Sequence, residues 1–256
     1  MLIAALGSSF AAGPTLEPVA DRAAMRSAVN YPHRLAAALG ADLVDLTVSG
    51  ATCASVLEVP QVIAPGVRFP PQIDGLPAGA DLVTLTVGGN DLRYVGSMVA
   101  TAWRRHDPTS RMSALLGAQN PAIADPTAAS VDAVAADLVR IVEAVRFRAP
   151  RARVVLVDYL TVLGAAGRSS VVDYAPAELS AFRLLQDALE RAFRSAAGRT
   201  GARLVAASAH SRDHGLGSVE PWINDFIPDV RRAGGSFHPN EAGMGAVAEL
   251  LVTAVG

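Results

Sequence analysis

Five short apolar runs, separated by segments of helical pattern, constrain this chain more than any other feature. The first opens at Met1 and breaks off in Gly7-Ser8-Ser9, with Gly13 shortly after; the others are 42–48, 81–87, 153–158 and 202–206. Runs without helical spacing suit strands buried on both faces of a parallel sheet. Between them, Ser130–Phe147 carries Val131, Val134, Leu138, Ile141, Val142 and Val145 on one helical face behind an N-cap serine, and Pro176–Arg199 carries Leu179, Phe182, Leu185, Leu189 and Phe193. Ala20–Gly40 reads as irregular chain leading into a helix near Pro32 that stops at Gly40, and Cys53–Val59 as a short helix. Residues 60–80, rich in proline and glycine, read as irregular surface chain, and Asn240–Val255 as a closing helix capped by Asn240. The alternation predicts an α/β fold: a three-layer, flavodoxin-like α/β/α sandwich of about five parallel strands in the order 2-1-3-4-5.

A single domain over 1–256 is expected. Two connections exceed a plain crossover: 92–129, a lid or insert with helical pieces within 92–117, and 207–239, a loop that delivers a histidine. Half of the chain is apolar, enough for a sizeable core. With 22 basic against 24 acidic residues, no nucleic-acid surface and no polybasic anchor is expected. Cys53 is the only cysteine, which excludes an internal disulfide and suits a small buried hydrophobe. No run reaches the ~18 apolar residues of a membrane span. The expected location is cytoplasmic, or secreted if a leader has been removed.

In an open parallel sheet, whatever follows each strand gathers along one edge, where ligands bind. That edge receives Ser9 after the first strand, Gly50 after the second, Asn90 after the third, and His238, just ahead of the last helix. A serine oxygen attacks a carbonyl while an imidazole removes its proton. Backbone N–H groups of Ser9 and Gly50 and the Asn90 amide can face the developing oxyanion. Each residue also has a plainer role: Ser9 as a helix cap, Gly50 as a tight turn, Asn90 bonding its own loop, and His238-Pro239-Asn240 as a helix start.

On these residues the chain resembles the SGNH branch of the GDSL lipase/esterase family, actinobacterial in its Ala/Val/Arg-rich composition. Gly7-Ser-Ser-Phe-Ala-Ala-Gly13 resembles the first family block, Ser-Gly-Ala-Thr around Gly50 the second, Gly88-Gly-Asn-Asp91 the third and His238-Pro239 the last. The resemblance implies a serine acyl-ester hydrolase, an esterase or lipase working through an acyl-Ser9 intermediate with His238 as base. It implies neither a metal nor an organic cofactor.

Two positions depart from the pattern. Ser8 stands where the first block usually has aspartate, and Gly235 where the triad acid normally precedes the histidine by three residues. A main-chain carbonyl, Gly235 first, is expected to orient the imidazole, with Asp213, Asp225 or Asp229 as substitutes. Met98, Val99, Trp103 and Trp222 are expected either to line an acyl pocket or to seal loops onto the core. Arg231 and Arg232 either hold an anionic part of the substrate or are solvated. The main alternative is acyl transfer from acyl-CoA to a sugar or alcohol hydroxyl, of glucosylglycerate type, with Arg104, Arg105, Arg231 or Arg232 meeting the phosphates. A degenerate, non-catalytic binding protein on the same scaffold is the remaining possibility.

Overall fold

The structure, a computed structural model, describes residues 1–165 and 167–256. Its five long-range strands are β1 (Leu2–Gly7), β2 (Asp42–Asp45), β3 (Leu82–Thr86), β4 (Arg153–Val157) and β5 (Arg203–Val205). They form one parallel sheet in which β1 lies between β2 and β3, giving the expected order 2-1-3-4-5. Ile3, Ala4, Ala5 and Leu6 are fully buried, as a central strand covered on both faces requires.

Parallel neighbours need long crossovers, and helices supply them. These are α1 (Ser9–Ala12), α2 (Tyr31–Leu39), α3 (Cys53–Leu57), α4 (Tyr94–His106), α5 (Arg111–Gln119), α6 (Ala128–Arg148), α7 (Pro176–Thr200), α8 (Ala207–His210) and α9 (Glu241–Val255). One helical layer pairs α2 with α9, and the other packs α3, α6 and α7 together. The α6 stripe that the periodicity marks is buried as a unit, each large side chain contributing roughly 1.5–3 kcal/mol. Helices α4 and α5 fill the insert at 92–129 and pack on one another.

Three local expectations are corrected. β2 stops at Asp45, because the Asp45 carboxylate accepts the backbone N–H of Thr47 at 3.0 Å and its hydroxyl at 2.6 Å, which turns the chain. α6 begins earlier than Ser130, since the hydroxyl of Thr127 takes up the Ser130 N–H and is the real cap. The stretch 60–80 is not wholly irregular: Gln61–Ala64 and Val67–Phe69 form an antiparallel hairpin around Pro65-Gly66. A second small ribbon pairs Val19–Asp21 with Arg26–Ser27.

Candidate active site

The carboxyl edge of β1 delivers Ser9. The Ser8 N–H donates to Thr86 O at 2.9 Å, tying the end of β1 to β3, and α1 begins at the next residue. Beyond β2, Gly50 has φ +83, a left-handed conformation that a side chain would strain. Among the described residues neither the Ser9 nor the Gly50 N–H donates to another protein group. Beyond β3, Asn90 Nδ2 donates to Ala51 O at 2.8 Å, which joins the second and third loops and leaves its other amide hydrogen uncommitted to that bond.

From the far end of the chain, His238 arrives with Nε2 2.7 Å from Ser9 Oγ. Its Nδ1 lies 2.9 Å from Ser236 O. A carbonyl can only accept, so Nδ1 carries the hydrogen and Nε2 turns its lone pair on the serine hydroxyl. The imidazole is buried beside Phe10, at a ring separation of 5.3 Å, and burial lowers its pKa from 6.5 to about 4. Hydroxyl and base are therefore paired with the base neutral at ordinary pH.

The carbonyl at the imidazole is Ser236, not Gly235. Gly235 O instead accepts the His238 backbone N–H at 3.2 Å and the Asn224 amide at 3.3 Å, which holds it away from the ring. Asn224 also donates its N–H to His238 O and accepts the Phe237 N–H, so it clasps the whole histidine turn. None of the three aspartates reaches the histidine. Asp225 accepts from Ser169, Ser170 and the Phe226 N–H, Asp229 caps the Arg231 N–H, and Asp213 lines a separate cavity with Arg212 and Glu190. A Cβ on Gly235 would run into the side chain of Thr15, so an acid at that position would require Thr15 to give way.

Ser9, Gly50, Asn90 and His238 share one cavity of about 330 Å³. Its apolar wall is Met25, Val95, Val99, Met112, Leu116 and Val230. Of the expected pocket residues, Met98, Trp103, Trp222, Arg231 and Arg232 are absent from that wall. Met98 is fully buried in the core, turned about 100° around α4 from Val99, which lines the cavity. Trp103 packs edge-on against Phe226, and Trp222 stacks on His214 at 3.9 Å. Arg231 and Arg232 are exposed. Cys53 is buried, and that burial pushes its thiol pKa up.

The profile of the GDSL-like lipase/acylhydrolase family matches residues 5–246, nearly the whole chain. The protein belongs to this family. Lipase 2 of Streptomyces coelicolor is 32 % identical over 271 residues, covering 98 % of this chain and 85 % of the relative. Two crystal structures share the fold. An extracellular lipase from Streptomyces rimosus superposes with a TM-score of 0.74 at 22 % identity, over 100 % of both chains. A phospholipase A1 from Streptomyces albidoflavus NA297 superposes with a TM-score of 0.75 at 21 % identity, over 98 % of each chain.

Within this GDSL-like lipase/acylhydrolase, the space around Ser8 is occupied by a residue that the sequence does not signal. Tyr159, just after β4, has its hydroxyl 3.0 Å from Ser8 Oγ and accepts the Gly89 N–H at 2.9 Å. Having accepted from Gly89, the phenol is free to donate to Ser8. It thus bolts the turn that carries Ser9 to the loop that carries Asn90, as a positioning residue. Tyr159→Phe leaves a buried N–H and hydroxyl without their partner, an expected loss of about 1–3 kcal/mol in stability. Slackening of the two loops is expected to lower kcat by about 10- to 100-fold with KM unchanged. Denaturant melts and steady-state kinetics check the two effects separately, and a wild-type kcat would refute the positioning role.

Proposed function

We propose that the protein hydrolyses carboxylic esters through an acyl-Ser9 intermediate. The observation that carries this reading is the contact of 2.7 Å from His238 Nε2 to Ser9 Oγ, with Nδ1 anchored on Ser236 O, at the wall of an apolar cavity. Ser9 Oγ attacks the ester carbonyl as its proton passes to His238 Nε2, and the imidazolium then protonates the departing alcohol. The Ser9 and Gly50 N–H groups and the Asn90 amide receive the oxyanion. Water, deprotonated by the same imidazole, then releases the acid from the acyl enzyme. The acyl chain lies along Val95, Val99, Met112 and Leu116.

Water as acceptor is favoured over a sugar hydroxyl by the fate of the arginines assigned to acyl-CoA. Arg104 is bonded to Asn120 O and Thr101, Arg105 to Glu178, and none of the four lines the cavity. The lipase and phospholipase names of the Streptomyces proteins support a glycerolipid ester as substrate. The extracellular origin of the Streptomyces rimosus enzyme supports a secreted location over a cytoplasmic one. Among the described residues, no helix is long and apolar enough to cross a membrane.

A fluorophosphonate probe tests the chemistry: a single adduct on Ser9, absent in His238→Ala, is expected, and an unlabelled wild-type chain would overturn it. Asn90→Ala removes one oxyanion donor and is expected to lower kcat by about 10²–10³-fold. Kinetics on p-nitrophenyl butyrate measure that loss, and a kcat near wild type would remove Asn90 from the oxyanion site.

A further inference from the structure

The apolar wall of the cavity reaches the outer surface. Met25 and Val230 both line it, yet they are 45 % and 62 % exposed. On α5, Leu115 is 53 % exposed beside the lining residue Leu116. The hairpin 61–69 is anchored to the same rim. Gln61 Nε2 donates to Ser49 O at 2.8 Å, and a Cβ on Gly50 would lie 3.3 Å from that nitrogen. Its turn lies within a strand length of this anchor, roughly 10 Å. It presents Val62, 70 % exposed, with Ile63 and Val67, both 38 % exposed.

Exposed arginines stand near these apolar points, with Arg68 paired across the hairpin from Val62 and Arg111 one helical turn before Leu115. Arg22 precedes Met25, Arg68 follows Val67, Arg111 opens α5, and Arg231 and Arg232 follow Val230. Exposed apolar side chains with guanidinium groups nearby suit the boundary between acyl chains and phosphate headgroups. Exposed apolar side chains grouped at a cavity mark an interaction site, and here Met25 and Val230 stand at the cavity that holds Ser9. A protein partner would need no such cavity at its centre.

We propose that the rim formed by Met25, the hairpin 61–69, Leu115 and Val230 docks on a phospholipid surface, with its arginines meeting the phosphates. The cavity mouth is thereby pressed against the layer from which an acyl chain is drawn. This rests on the ester-hydrolase reading for its purpose, but not for its test.

The full chain is sedimented with vesicles of phosphatidylcholine and phosphatidylglycerol. Wild type is expected to co-sediment, and V62D/I63D to bind about tenfold more weakly or worse. Its rate on monomeric p-nitrophenyl butyrate is expected to be unchanged, which also shows that the variant is folded. If V62D/I63D does not fold, L115D serves with the same expectations. Arg231→Gln with Arg232→Gln is expected to weaken binding to the anionic vesicles at low salt, and to have less effect as salt rises. Wild type left in the supernatant, or V62D/I63D bound as tightly as wild type, would overturn the docking surface. Binding to vesicles without Ser9-dependent hydrolysis retains the surface and removes the ester reading; hydrolysis without binding does the reverse.

Discussion

Ser9→Ala is expected to lower kcat on p-nitrophenyl butyrate by about 10⁴–10⁶-fold, the range seen when a nucleophile that works as a unit with its base is removed. The substitution is small and sterically mild. Ser9 Oγ has His238 Nε2 as its hydrogen-bond partner, so few other bonds are disturbed and the melting temperature is expected to change little. His238→Ala is expected to be about as damaging, and the double variant no worse than either, because each group is useless without the other. Multiplying losses would instead mean that the two groups act in separate steps. A Ser9→Ala protein within tenfold of wild type would sink the acyl-enzyme mechanism.

The pH dependence supplies the second large effect. His238 acts as a base only when neutral, and burial sets its pKa at about 4. kcat/KM, which reports the free enzyme, is therefore expected to be flat from about pH 5 to neutrality and to fall tenfold per unit below about pH 4. A limb near 6.5 would show an ordinary solvated imidazole.

The same group affects stability. Its folded pKa lies below the unfolded value, so the unfolded chain binds the proton first. This contribution is present above 6.5 and is lost as pH falls toward 4. Asp158 acts in the opposite sense. Burial raises it from 3.8 to about 6, against the hydrogen bonds it accepts from Ser208, so the folded chain keeps a proton the unfolded chain has lost. Its contribution is present below 3.8 and is lost as pH rises to about 6. The two slopes oppose one another across this window. Asp158→Asn is expected to unmask the histidine, so that urea midpoints rise from pH 4.5 to 6.5 more steeply than in wild type. Equal slopes in the two proteins would contradict this.

Much of this arrangement was legible in the residues because Ser9, Gly50 and Asn90 each follow a strand of simple pattern. Strand order and the meeting of Ser9, Gly50 and Asn90 follow from short apolar runs that end in turn residues, and His238 joins them from just ahead of the last helix. The illegible parts share a physical cause: they depend on direction and not on residue type. Met98 and Val99 are neighbours in the chain, yet about 100° apart around α4, so one enters the core and the other the cavity. Ser236 instead of Gly235 orients the imidazole because a 3₁₀ turn and the Asn224 clasp decide which carbonyl faces the ring. Any residue can supply a carbonyl, so no spacing announces it. Tyr159 is equally silent, a lone aromatic after a strand whose hydroxyl finds partners 70 and 151 positions away. The hairpin 61–69 lay hidden in proline and glycine content that turns and ribbons share.

The partner of His238 Nδ1 is a peptide oxygen, held in place by its turn and by Asn224, and a peptide oxygen does not ionise. An enzyme that relies on a carboxylate for this duty weakens when that acid takes up a proton. Here the tautomer stays set however acidic the medium becomes, until the ring itself is protonated. The protonation of the proposed base is thus governed by a single ionisation, that of the ring itself.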